Sequence, residues 1–376
     1  MRRSRSSIIA GAAVTAAAVP FLLTGCIFPS PSPGTAATLR GVAAVNASNA
    51  WGVGGFGDRT GDHELMEHWN GKNWQPVVLP QPIGHALYSV TAVNASNVWA
   101  TGSQRTLHFN GLSWRSLPNP AGTVVWDVAS AADGTVYRLG SGNSASTLQA
   151  MTAGGWRQVS IIPKPTSHRA CDGGSAGPAD VTVLKADDVW VVGNTFGTGT
   201  NAAHSCTFAI HWNGTAWQSY ATPSVAGEPE LLAVSARAAN DVWAVGERIT
   251  VVALTGREID NSIVMHWNGT TWASVPTVDL FGGGRLNDVD ATGNGVWAVG
   301  TSPQLGGYTS DMLIKKWSGS AMVDQPVQRL PVAGAPTTDS GDLSSVSVRD
   351  GVVTSVGSYR PSVNVIATLT DRRNAN

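Results

Sequence analysis

The sequence is poor in charge, in helical periodicity and in long apolar runs, and each shortage removes a class of protein. Asp, Glu, Lys and Arg make up only 13% of the 376 residues and leave a formal net charge of −1. So weak a field offers no footprint for nucleic acid and no polybasic stripe for anionic lipid. No long stretch repeats its apolar residues at 3.6-residue spacing, which excludes helical bundles and solenoids. No apolar run reaches the ~20 residues a membrane-spanning helix needs. Nucleophile elbows, phosphate-binding glycine loops, zinc-protease helices and calcium loops are all missing. What is abundant is glycine, at 43 residues, and tryptophan, at 15. Many turns between short aromatic-rich strands indicate an all-β chain.

The N-terminus indicates the compartment. Arg2, Arg3 and Arg5 precede an apolar run from Ile8 to Leu23 that Pro20 interrupts, followed by Leu23-Thr24-Gly25-Cys26. A positive start and a short apolar core ending in small residues read as an export signal. The last four residues resemble the bacterial lipobox. That resemblance implies cleavage before Cys26 and a diacylglycerol on its thiol, hence a membrane-anchored protein on the extracytoplasmic side. Residues 1–25 are then signal peptide, and 26–38, with three prolines, a polar tether. Two or more acyl chains on the cysteine give stable anchoring where one does not.

From Leu39 to residue 376 one pattern recurs. A strand ending in glycine appears as Ala50-Trp51-Gly52-Val53-Gly54, Val98-Trp99-Ala100-Thr101-Gly102 and Val136-Tyr137-Arg138-Leu139-Gly140. It returns as Val189-Trp190-Val191-Val192-Gly193, Val242-Trp243-Ala244-Val245-Gly246, Val296-Trp297-Ala298-Val299-Gly300 and Val353-Thr354-Ser355-Val356-Gly357. The second signature reads His68-Trp69-Asn70-Gly71 then Trp74, with counterparts at His108, His211 and His266 and decayed copies near Trp156 and Trp317. Asn-Gly between apolar runs is a strong hairpin signal, because both residues tolerate positive φ. Four strands in about 50 residues make a β-propeller blade. The expectation is a seven-bladed β-propeller of four-stranded antiparallel blades, the last incomplete. The repeats resemble secreted bacterial propellers of the kelch and Asp-box kind, which implies a fold but no particular activity.

In such a blade the loops entering the first strand and joining the second to the third share one face, here the top. His63, His85, His168 and His204 map there, as do Glu247, Arg248 and Asp260, and these seven are the candidate binding surface. The signature histidines are expected to satisfy strand and turn hydrogen bonds instead. Cys171 and Cys206 also map to the top of one blade. In an oxidising compartment the pair reads as a disulfide. With His168 and His204 the same thiols form a zinc-compatible set, a reading left second because the spacing matches no standard zinc motif. Trp126, alone outside the signatures, is expected in the core, with a stacking platform at the channel mouth as the alternative.

No catalytic residue, metal or cofactor is assigned. The expected function is a binding or scaffold module for an envelope protein or glycan, as a monomer held to the membrane through Cys26. The alternative is an enzyme acting on extracellular carbohydrate or a small secreted metabolite. A sialidase-like site requires a tyrosine nucleophile, and none of the five tyrosines stands in such a context.

Overall fold

The computed structural model describes residues 36–374, apart from 59–60, 81–83, 121, 143–144, 167–174, 197–204, 253–256, 280–282, 304–309, 328–339 and 363–364. Residues 1–35, which include the stretch expected to act as an export signal and Cys26, lie outside these residues, as do Cys171, His168 and His204.

Blade 1 is built of Ala36–Asn46, Asn49–Asp58, Gly61–Trp69 and Trp74–Pro76, strands a to d from the axis outward. Blade 2 repeats the order with Leu87–Asn94, Asn97–Gly102, Arg105–Phe109 and Trp114–Pro118. Blades 3, 4 and 5 begin with Val124–Ser130, Ser175–Lys185 and Glu228–Ala238. Blade 6, from Arg285–Thr292, carries an extra strand, Thr277–Val278, parallel to its own strand d, Met322–Asp324. A seventh sheet has only Ser340–Arg349, Val352–Ser362 and Val365–Asn374. In place of seven full blades there are six, plus this three-stranded sheet. Each strand a lies against the strand a of the next sheet, and the seventh returns to blade 1, so the ring closes.

Packing between sheets explains the tryptophans. Trp51 of blade 1 meets Trp114 of blade 2 edge-on at 5.1 Å. Trp99 meets Trp156 of blade 3 at 5.4 Å, and Trp190 meets Trp272 of blade 5 at 5.6 Å. A blade exposes two apolar faces and cannot bury either alone, so strand-b and strand-d aromatics interlock across each seam.

The glycine that ends strand b has a different cause. Strand a bulges by one residue, at Arg40 in blade 1 and at Leu232 in blade 5, where the register slips. The bulge drives a strand-a carbonyl under the glycine. A Cβ on Gly54 meets the Thr38 oxygen at 1.9 Å, and one on Gly246 meets the Glu230 oxygen at 1.9 Å. No side chain fits there.

Candidate functional site

Strand a of every sheet lines a central channel of about 350 Å³. Its walls hold more carboxylates than the weak overall charge suggests: Asp127, Asp180, Asp288 and Asp290. The residue after each bulge is Ser89, Asp127, Asp180, Asp288 or Ser345 in blades 2, 3, 4 and 6 and the seventh sheet. In each case its side chain accepts an amide hydrogen from the next sheet. Val128 N–H donates to Ser89 Oγ at 3.4 Å, Val181 to Asp127 Oδ2 at 2.9 Å and Val234 to Asp180 Oδ2 at 2.6 Å. Val346 donates to Asp288 Oδ2 at 2.8 Å, and Val42 of blade 1 donates to Ser345 Oγ at 3.2 Å. Blade 5 has Ala233 at this level and reaches across two residues further on, with Ala291 N–H donating to Ser235 Oγ at 3.0 Å. These channel carboxylates are thus occupied as clasps between sheets that share no ladder.

The crowding leaves a titration signature. Burial, then the adjacent charge and hydrogen bond of Asp127, hold the Asp180 carboxyl well above the usual carboxylate range. Asp288 is pushed up to about 7 by burial, against the pull of its Ser345 and amide donors. Burial also raises Asp290, opposed by Arg349, whose guanidinium lies at 3.1 Å.

The top mouth of the channel has other chemistry. The Arg40 guanidinium stands 5.4 Å over the Tyr88 ring, and Trp126 is half-buried beside them on the channel wall. Trp126 also packs on the blade 3–4 core, while its buried Nε1 has no hydrogen-bond partner among the described residues. Trp126 thus belongs both to the core, as expected, and to the channel lining. Across the mouth, Arg285 binds Glu247 at 2.6 Å and Asn287 Oδ1 at 2.8 Å, and Asn287 donates to the Leu343 carbonyl at 2.8 Å.

The candidate surface residues divide into two groups. In blades 1 and 2, His63 stacks on Phe56 at 4.9 Å, and His85 bonds Gln104 at 2.8 Å. Glu64 Oε2 bridges the two by accepting from Gly84 N–H at 3.2 Å. In blade 5, Arg248 and Asp260 are half-buried on strands b and c, one register step apart. Glu247 is not a surface carboxylate: it is 3% exposed and ion-paired. Burial raises its pKa, with Arg285 opposing and Asp260 and Glu230 adding to it. Among the described residues no group of three or more His, Cys, Asp or Glu is arranged to hold a metal.

Sequence reasoning missed Arg40, Tyr88 and Asn287. All three are bulge residues of strand a, and the only signal for them was their place one residue before the alternation of that strand slips. The signature histidines are structural. His68 and His108 bond Asn49 and Asn97, each at 2.9 Å, and His211 and His266 bond Asp188 and Asp241 at 2.8 and 3.0 Å. Each also lies against its strand-b tryptophan, as Trp99 does on His108 at 4.0 Å.

No protein-family model and no curated protein matches the chain. Among solved structures, one described as YCF48 bound to D1 peptide aligns over 92% of this chain and 94% of its own, with 13% identity and a TM-score of 0.53. YCF48 from Cyanidioschyzon merolae aligns over 90% and 97%, with 13% identity and a TM-score of 0.55. At such identity the likeness is one of fold, and the chain has the fold of a β-propeller.

Proposed function

We propose that this protein is a lipid-anchored extracytoplasmic propeller that binds a segment of an envelope protein across the top mouth of its channel. The observation that carries this reading is the mouth itself. It presents Arg40 over Tyr88, half-buried Trp126 and the Arg285–Asn287 pair around an open cavity, while the carboxylates beneath are engaged by backbone amides. Rigid aromatic and arginine side chains at a concave rim are the usual anchors of protein recognition. A YCF48 propeller, similar only in fold, is described with a D1 peptide bound, which favours a peptide over a glycan. Anchoring rests on the lipobox-like Leu23-Thr24-Gly25-Cys26.

The test compares proteins co-purified from envelope extract by the native chain and by Arg40→Ala/Tyr88→Ala, with circular dichroism showing both folded. Loss of a saturable partner in the variant supports the mouth as the site, and an unchanged partner set refutes it. Intact mass tests the anchor, since a Cys26→Ser chain lacks the lipid increment and leaves the membrane fraction. It also tests the bridge proposed between Cys171 and Cys206: two free thiols in the unreduced protein rule it out.

A further inference from the structure

Successive seams repeat the same four positions, and one seam breaks the pattern. A residue of strand b and its partner on strand c face a like pair of the next blade. Between blades 1 and 2 the four are Val53 and Met66 against Ala100 and Leu107. Between blades 3 and 4 they are Leu139 and Leu148 against Val191 and Ile210. Between blades 4 and 5 they are Val192 and Ala209 against Ala244 and Met265. Between blades 2 and 3 they are Thr101 and Thr106 against Arg138 and Gln149. All four are polar and all are buried, Arg138 at 0% exposure. Polar residues stand on both sides of this seam, which a single stray substitution does not produce.

The guanidinium spends only part of its hydrogen-bonding capacity. Its Nε donates to Gln149 Oε1 at 2.8 Å, and Nη1 donates to Thr106 Oγ1 at 2.6 Å and Asn119 Oδ1 at 2.9 Å. Asn119 spends its own amide nitrogen on the Gly102 and Ser103 carbonyls, and Gln149 spends its own on Thr147 Oγ1. Trp156 covers one face of the guanidinium, its ring centre 4.2 Å from Cζ. Nη2, with its two N–H groups, is buried with no partner among the described residues, and so is the Thr101 hydroxyl. Thr101 is opposite Thr106 in the ladder, so its side chain lies on the face that holds the guanidinium.

The charge is unbalanced as well. Every acceptor on Arg138 is neutral, and no carboxylate pairs with it among the described residues. Burial alone lowers the guanidinium to about 10, which leaves it cationic at neutral pH. A cation taken out of water without a counter-charge is strongly unfavourable. Lys315, buried in blade 6, has Asp279 and Asp324 for that purpose. An arginine cannot escape the cost by giving up its proton, as a lysine can.

We propose that the seam between blades 2 and 3 is a binding site for one monovalent anion of chloride size, held by Arg138 Nη2 and the Thr101 hydroxyl. A halide accepts from both groups and brings the single negative charge that the seam lacks. Sulfate or phosphate brings more charge, and more oxygens than there are spare donors. Full burial of Thr101 and Arg138 leaves no entry for a partner's side chain. The ion holds blades 2 and 3 together where apolar packing joins the neighbouring blades. The site is separate from the channel mouth and stands whether or not a peptide binds there.

The experiment has two arms. Thermal unfolding of the native chain, Arg138→Met and Thr101→Val is followed by tryptophan fluorescence at fixed ionic strength in sodium chloride, bromide or gluconate. The native melting temperature should stand about 2 °C or more higher in chloride and bromide than in gluconate, and climb with halide concentration. Arg138→Met should lose that difference, and Thr101→Val, which keeps the guanidinium and the shape, should reduce it. General salt effects act on all three chains alike. In the second arm, crystals of the native protein grown with sodium bromide should show an anomalous peak within hydrogen-bonding reach of Arg138 Nη2. A halide response of equal size in the native chain and Arg138→Met overturns the site, as does no response in the native chain. Bromide found only at exposed positions, or at the seam without any response in solution, is an adventitious ion only and overturns it too. If Arg138→Met does not fold, Thr101→Val and the bromide crystals still decide.

Discussion

Glu67 lies in strand c of blade 1 and is 3% exposed. Its Oε2 is buried without a hydrogen-bond partner among the described residues. The registers place it opposite Gly52, as Leu107 is opposite Ala100, Ile210 opposite Val191 and Met265 opposite Ala244. An apolar residue thus fills this position in three other blades. Burial raises the Glu67 carboxyl from 4.5 to about 7. The folded chain then binds a proton that the unfolded chain releases above pH 4.5. The associated stability is complete below that pH and is lost as pH rises through 7. A shift of this size corresponds to about 3 kcal/mol of penalty at pH 8. Replacing Glu67 with Leu should remove it, raising the melting temperature at pH 8 by roughly 3–6 °C and by much less at pH 4.5. Glu67→Gln keeps the shape but cannot ionise, and should flatten the same part of the pH dependence. Thermal unfolding followed by tryptophan fluorescence between pH 4.5 and 8 is the assay. If Glu67→Leu is destabilising at pH 8, or leaves the pH slope unchanged, the carboxylate is charged and satisfied and the reasoning fails.

Other consequences of the seams can be measured in the same way. Asp288, also raised to about 7, adds a loss of stability over the same rising-pH window, so Asp288→Asn should reduce the remaining slope between pH 5 and 8. Lys315 is fully buried, with Asp279 Oδ1 at 2.7 Å and Asp324 beside it, so Lys315→Met should cost roughly 3–5 kcal/mol by stranding two carboxylates. A triple variant adding Asp279→Asn and Asp324→Asn should recover most of that loss in chemical denaturation. Gly246→Ala forces a methyl into the Glu230 carbonyl and should lower the melting temperature more than Ala244→Gly in the same strand.

Much of the architecture was legible because a blade is a local object. Trp-x-Val-Gly strands and Asn-Gly turns are set by contacts within about 50 residues, so their repetition exposes both the unit and the seam. The histidines were legible for the same reason, since each finds its Asn or Asp one hairpin away. Complete blades were harder to count: the seventh sheet carries a strand-b signature yet has no fourth strand among the described residues, and a repeat marker does not report its sheet's edge.

The binding surface was legible only in outline. Glu247 lies in the loop-bearing region the sequence indicates, but Arg285, 38 residues onward in the next blade, turns it inward. Arg40, Tyr88 and Asn287 come together because seven bulges fall at one level of the ring, which no single repeat reveals.

By itself the sequence determined the repeating strand-and-turn unit, the glycine and tryptophan positions, and the acidic or serine residue that follows the bulge in five of the seven sheets. Only the closed ring decided what those residues do. An aspartate in one strand a clasps an amide 54 to 58 residues later in the chain, as at Asp127, Asp180 and Asp288. Such a bond exists only when neighbouring sheets stand side by side, because its energy comes from groups that the hairpin alone leaves exposed to water.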